Sequence, residues 1–415
     1  MNILEIHVIH SFPTSNLNRD EHGAPKSGKF GGYRRGRVSS QCWKAVARSK
    51  MRTLPGLDDP NLWGTRSKLH ADAIVESVIG LLPDPKPDYA EVMARVRPFL
   101  LTCLGSHVPD TSAKTPETDE TDDAPEDASS GKAKALLFLS KQEIEGLAKV
   151  LVAHWATEDW DALKAAMEAV PKDRVKKVGN AASKTLKKDA DEALDASHAL
   201  DIAIFGRFLA GKPDANIFGA SRVAHAISTH TPDREFDFFT AIDDLRPQGV
   251  QASDMIGTVE FNSATFYRHA ALDLDQLVQN LGGNKELAIR GAIGFLNAFV
   301  LSVPKGMERS MGHHTVPGFV FASVRKDSEA LNLCGAFEVP LRENREASIT
   351  CRSAQALVKE AMACEQVYGI PYTTTSVWID KVVTDIQGFG IKAETFEALL
   401  KEVEQKVQVL LPLEG

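Results

Sequence analysis

The sequence predicts an α+β fold in which one sheet domain is interrupted by a large helical section. Three observations predict it. Residues 3–10 (ILEIHVIH) alternate, with Leu4, Ile6 and Val8 on one side and Glu5 and His7 on the other, the period of a half-buried strand. From about residue 59 to residue 199 the apolar spacing becomes helical, at 69–82 and again at 144–170 around Trp155 and Trp160. Alternation returns at 258–270, followed by an apolar helix at 287–303 and a strand at 318–324. Strand, helix, insertion, strand, helix, strand is the order of a ferredoxin-like sheet.

The first strand leads into NLNRDEHGAPKSGKFGGYRRGRVSSQCWKAVARSKMR, residues 16–52. This stretch has ten Lys or Arg against Asp20 and Glu21, so it carries +8 in a chain whose net charge is −8. Such a local concentration is the electrostatic footprint of a polyanion site. A helix is expected to open at Ser39 or Ser40, since Ser is a favoured N-cap. Gln41, Lys44 and Arg48 then fall within about 60° of one another on one face. Trp43, Val46 and Ala47 face inward. Gly31 and Gly32 let the backbone approach a ligand closely. Arg34, Arg35 and Arg37 lead to the helix N-terminus, whose free N–H groups favour phosphate. An isolated charge run is more often a solvated loop. Here the glycine pair, the cap and the aligned stripe agree on a phosphate site.

Residues 109–130 carry eight acids and one Lys. They bury too little apolar surface to order themselves and are expected to form a mobile loop. Without them the remainder is close to neutral, so the global charge says little about partners. Residues 172–188 hold seven Lys or Arg and read as a solvated helix face, with a second nucleic-acid contact as the alternative. Residues 201–209 bring Arg207 behind Gly206, and 223–230 (VAHAISTH) read as short and helical or turn-like. Residues 231–257, with Pro232, Pro247, Gly249, Phe236, Phe238 and Phe239, suggest a protruding element. Further helices are expected at 353–368 and 393–409. The Gly-aromatic-Gly-aromatic strand that stacks bases in RNA-recognition sheets is absent, so bases are not expected on the sheet face.

Several classes are excluded or weakened. No apolar run reaches the ~18 residues of a membrane span, and the chain begins directly in a strand, so no signal peptide is expected. Cys42, Cys103, Cys334, Cys351 and Cys364 form no Cys-x-x-Cys pair, which fits reduced cytoplasmic thiols and no metal framework. His225 and His230 are five apart with no Glu between them, which favours packing over zinc. His313-His314 reads as a surface turn. There is no Walker A run and no Gly-x-Ser-x-Gly elbow. Asp20-Glu21 and Asp243-Asp244 leave a ribonuclease reading open, through Mg²⁺ or acid–base chemistry, although adjacent acids in a turn usually cap it or pair with Arg. A metabolic enzyme using the basic stretch for a small phosphorylated ligand is a third reading. No cofactor is expected.

The strings LNRD (17–20), FGG (30–32), RRGRVSSQ (34–41) with Lys44, DIAIFGR (201–207), VAHAISTH (223–230), FTAIDDL (239–245), GTVEF (257–261) and FYRHA (266–270) resemble, in order, the CasC family. That family is the repeated backbone subunit of the type I-E CRISPR surveillance complex, Cascade. The resemblance covers 1–55 and 200–330 well and is loose elsewhere. It implies a hand: an RRM-like palm from 1–59 and 200–345, a helical finger at 60–199, a thumb-like hairpin at 231–257 and a C-terminal helical region at 346–415 packed on the palm. Copies would stack head-to-tail along a CRISPR RNA, each thumb flipping a base and leaving the rest to pair with target DNA. The large, small, five-prime-handle and three-prime-hairpin subunits would be further partners, and cleavage would fall to a recruited helicase-nuclease. The chain itself would be no enzyme and need no cofactor or metal. Carried over by position, Arg19, Lys26, Ser39, Gln41, Lys44 and Arg48 would contact RNA phosphates, with Lys29 in the same stretch and Arg207 behind it. Arg34, Arg35 and Arg37 would serve RNA or neighbouring subunits. Ala45 stands where relatives often have a basic residue, and Phe208 where they often have Met. Type III relatives cleave RNA with an Asp, which keeps the ribonuclease alternative open.

Overall fold

The computed structural model describes residues 1–105, 136–169, 171–240, 256–342, 346–382 and 386–413. The acidic stretch 109–130 and the Asp243-Asp244 pair lie outside the described residues. The chain divides into two compact units. One comprises Met1–Asp58, Ser221–Gln276 and Lys285–Gly415, the other Asp59–Ala220 and Leu277–Asn284.

In chain order the strands are β1 (Ile3–Ser15), β2 (Ser27–Phe30), β3 (Tyr33–Val38), β4 (Gly64–Ser67), β5 (Leu137–Ser140) and β6 (Ser221–Val223). They continue with β7 (Ala226–Ser228), β8 (Glu235–Thr240), β9 (Ile256–Asp273), β10 (Phe319–Arg325), β11 (Ser376–Asp380) and β12 (Ile391–Lys392). All but β4 and β5 join one sheet in the order β12-β11-β10-β1-β9-β7-β3-β2, with β6 and β8 also paired to β9. The central run β10-β1-β9-β6 is antiparallel throughout. With helix α1 (Ser40–Met51) after β1 and a second helix (Lys285–Leu301) after β9, this is the split β-α-β order of the ferredoxin-like fold.

The alternation in β1 holds, but both of its faces are covered. Val8 lies opposite Arg268 in the β1–β9 register, on the side where Trp43 of α1 meets Phe299 and the Arg268 guanidinium. On the other side Ile9, Tyr267 and Phe321 pack with Leu357 of the helix Ile349–Tyr368 and with Tyr372. Glu5 and His7 were expected to face away from the core, yet both are fully buried on this second side. Uncompensated, a buried carboxylate costs several kcal/mol. Here Arg325 lies 2.5 Å from Glu5, the Tyr372 hydroxyl donates to it at 2.9 Å, and the Leu331 N–H donates to it as well. Burial alone would raise the Glu5 pKa; His7, Arg325 and His269 outweigh it and hold the carboxyl below its usual range. The sheet face that carries bases in RNA-recognition domains is thus occupied by this chain's own helix.

The C-terminal region holds the expected helices, at Ile349–Tyr368 and Phe396–Leu410, but also β11 and β12, which extend the sheet. Five residues (SVWID) carry little period of their own; pairing with β10 makes β11 a strand. VAHAISTH, expected as helical or turn-like, also supplies strand, in β7 against β9. His313, expected in a surface turn, is buried, its Nε2 3.0 Å from the Pro304 carbonyl.

The second unit is helical, with β4 and β5 as a two-stranded ribbon. Its helices include His70–Leu81, Tyr89–Leu104, Lys141–Ala153 and Lys184–Ala193. Their starts follow side-chain capping: Asp88 accepts the Glu91 N–H, Ser183 accepts that of Leu186, and Ser140 with Glu143 forms a reciprocal capping box. Leu100, Leu147, Leu163 and Leu186 share its apolar core. The unit runs on to Ala220 rather than ending at 199. The reason is local: Leu200, Ile202 and Ile204 are buried, and the Asp201 carboxylate accepts the Gly64 N–H at 2.8 Å.

Candidate nucleic-acid interface

The basic stretch folds as a hairpin and a helix. β2 and β3 pair antiparallel, with Phe30 opposite Tyr33. Gly31 (φ +57°) and Gly32 (φ +84°) form the two-residue turn between them, the conformation that right-twisted hairpins favour. The glycine pair was expected to let a ligand approach. Instead it makes this turn, and at Gly31 it makes room for the chain's own backbone: a Cβ there would sit 1.9 Å from the Glu338 carbonyl oxygen. Gly31→Ala is therefore expected to destabilise the fold by about 1–3 kcal/mol, read as a lowered midpoint in urea unfolding.

Lys29 lies directly opposite Arg34 across the hairpin, and both are exposed. Like charges facing each other in this way are destabilising in isolation, and a polyanion laid across them would reverse the sign. Arg34 Nε donates to Ser27 Oγ at 3.2 Å. Arg37 Nε reaches the Ser27 carbonyl at 3.4 Å, and its Nη1 lies 3.1 Å from His225 Nδ1. The Lys26 carbonyl accepts the Arg37 N–H at 2.9 Å, which ties the segment before β2 to β3, and the Lys26 charge lowers the pKa of both His225 and Cys42. The geometry thus gathers Lys26, Arg37 and His225.

The LNRD string braces this assembly. The Asn18 side chain accepts the Ser39 N–H at 3.0 Å, and its carbonyl accepts the Lys26 N–H at 2.8 Å. Arg19 is exposed. The Asp20 carboxylate accepts the N–H groups of His22 and Ala24, each at 3.0 Å, so this acid closes its own turn.

Ser39 is the N-cap of α1, accepting the Cys42 N–H at 3.3 Å. Trp43, Ala47 and Met51 bury the inner face of the helix. Gln41 is exposed, and Lys44 and Arg48 are half-buried along the edge of that inner face. Burial pushes the Cys42 thiol up to about 11, against the lowering effect of Lys26, so this cysteine is a neutral thiol rather than a nucleophile.

Two predicted contacts are turned inward. Arg35 is fully buried and donates to the carbonyls of Ser228 (2.9 Å), Phe337 (2.6 Å) and Glu338 (3.1 Å). It pins the hairpin to the sheet unit and presents no guanidinium to solvent. Arg207, in the helical unit, is buried against Glu143 at 2.6 Å and donates to the Ala215 carbonyl. Charge count cannot tell such residues from surface cations, because burial depends on partners distant in sequence. His225 makes the hydrogen bond expected of it, to Arg37, but is exposed rather than packed, and nothing in its own string marks it out.

β8 and the first residues of β9 form the protruding hairpin, paired from Glu235 opposite Phe261 to Thr240 opposite Ile256. β1 pairs with β9 only from Asn262 onward. Phe236 and Phe238 are 58% and 73% exposed on this ribbon. Phe239 lies over Gly257, where a Cβ would come within 2.2 Å of its ring. Among the described residues, no group of three His, Cys, Asp or Glu side chains is placed to hold a metal ion, and no helix is long and apolar enough to cross a membrane.

A split β-α-β sheet with a cation-rich hairpin after its first strand and a helical insertion defines the class, an α+β protein built like chains of CRISPR surveillance complexes. One chain of a solved structure titled "CRISPR RNA-guided surveillance complex, pre-nicking" superposes with a TM-score of 0.71 at 28% identity, covering 98% of this chain and 100% of that one. A chain of a "CRISPR RNA-guided surveillance complex" superposes at 0.63 with 25% identity, covering 97% and 99%. The family model described as CT1975-like protein matches residues 4–405, and the chain belongs to this Cas family. A comparison with curated proteins gives no match.

Proposed function

We propose that this protein is a non-catalytic backbone subunit of a type I-E Cascade that polymerises head-to-tail along a CRISPR RNA in the cytoplasm. The observation that carries the reading is the facing Lys29–Arg34 pair, with Lys26 and Arg37 beside it, on a chain whose net charge is otherwise acidic. Arg19, Lys26, Lys29, Arg34, Arg37, Gln41, Lys44 and Arg48 would hold guide phosphates without reading sequence, and Ser39 would set the helix end against them. Target DNA would then be read by base pairing with the guide. The exposed Phe236 and Phe238 would interrupt the stacked bases at intervals. A head-to-tail contact of this kind does not close, so the RNA would set filament length. The turn-closing role of Asp20 favours scaffold over nuclease.

The test is to purify the protein with CRISPR RNAs of two lengths and measure mass and the A260/A280 ratio, with and without EDTA. The expected result is multimers whose copy number follows RNA length, unaffected by EDTA, with the RNA intact. A nucleic-acid-free monomer would overturn the scaffold reading, and metal-dependent RNA shortening would replace it with the ribonuclease.

A further inference from the structure

The Arg37–His225 contact fixes a protonation state. Arginine only donates, so at 3.1 Å from Arg37 Nη1 the His225 Nδ1 must accept. The hydrogen of the neutral ring is then on Nε2. His225 stands between β6 and β7, where the Ala224 N–H is tied to the His269 carbonyl at 3.0 Å, so the backbone holding the ring is anchored to the sheet. The charged groups that act on the ring are Arg37 from β3, in contact with it, and Lys26 from the segment before β2. Cys42 of α1, near Lys26, is uncharged at neutral pH because burial pushes its thiol up to about 11. A neutral histidine bonded to one cation, under the charge of a second and open to solvent is an unusual use of the residue, since protonation would break its bond to Arg37 and add a third like charge.

We propose that His225 is a proton-coupled phosphate latch. Unprotonated, it holds Arg37 in place; when an RNA phosphate arrives, Arg37 turns to the phosphate, and His225 takes a proton from solvent at Nδ1 and donates it as a further hydrogen bond. No bond to phosphorus is made or broken. The inference rests on the guide-binding reading above and adds a residue and a regulation to it.

The sign follows from linkage. In the free protein, partial burial, then Arg37 and Lys26, lower the His225 pKa from its ordinary value of 6.5. A phosphate beside the ring favours the charged form and raises it. The complex therefore binds more protons than the free protein, and affinity rises as pH falls through the interval between the two values. One proton taken up completely gives tenfold per pH unit, so the wild-type protein should bind about three- to tenfold tighter at pH 6 than at pH 8 at constant ionic strength.

The experiment measures anisotropy of a labelled single-stranded CRISPR RNA across this range for wild type and His225→Gln, which can still accept from Arg37 but does not titrate. Calorimetry in buffers of different ionisation enthalpy counts the protons taken up. The expected result is proton uptake in the wild type and a flattened pH dependence in the variant. The ¹⁵N signal of the His225 ring in the wild type, moving from neutral to charged on adding RNA near pH 7, tests the same point without a substitution. An unchanged pH slope in His225→Gln, or a ring that stays neutral when RNA binds, would overturn the latch and leave guide binding standing. Absence of RNA binding at any pH would overturn both.

Discussion

Arg207→Ala is expected to destabilise the helical unit by about 3–5 kcal/mol, the cost of leaving one member of a buried ion pair alone. Glu143 is fully buried, and its carboxylate accepts from Arg207 at 2.6 Å and from the Ser140 N–H at 2.7 Å. That second bond is half of the capping box that opens the helix Lys141–Ala153. Without the guanidinium, the buried carboxylate would be left with its charge uncompensated, and the helix start would loosen with it. Arg207→Lys should recover little, because a single ammonium cannot serve both Glu143 and the Ala215 carbonyl. Arg207→Met combined with Glu143→Gln should recover more, since it removes both charges. Urea unfolding, with hydrogen exchange read over residues 136–169, measures the effect. A loss under about 1 kcal/mol would mean that the pair is solvated and that Arg207 is available to RNA after all.

Lys44→Ala with Arg48→Ala is expected to abolish RNA-length-dependent multimers. Each charge-assisted contact contributes about 1.5–3 kcal/mol, so losing two should weaken binding by on the order of a hundredfold or more. The plot of log affinity against log salt should become shallower by about two units. The variant keeps Trp43, Ala47 and Met51, which seat α1 on its unit, and a thermal scan in parallel separates a lost contact from a lost fold. An unchanged salt slope would remove this helix face from the interface and leave the β2–β3 hairpin to account for binding.

Much of this was legible in the residues. The Ser39 cap, the burial of Trp43 and Ala47 and the stripe of Gln41, Lys44 and Arg48 along α1 follow from local rules, because capping and a period of 3.6 act within a few residues. So do the strand at β1 and the helical character of the inserted section. The order of strands and helices was enough to imply the split β-α-β sheet, since few topologies accommodate it.

What local rules could not show is which polar residues turn inward. Glu5 and His7 read as the wet side of a strand until the helix Ile349–Tyr368, more than three hundred residues later, covers them. Arg34 and Arg35 are neighbours with the same side chain, yet one is exposed on the hairpin and the other is spent on carbonyls at Ser228, Phe337 and Glu338. His225 acquires its place only because the β6–β7 link brings it to Arg37 across 188 residues of sequence. Charge, period and caps are properties of a segment and survive in isolation. Burial and protonation depend on which distant groups fold against that segment, and here only the assembled sheet decides them.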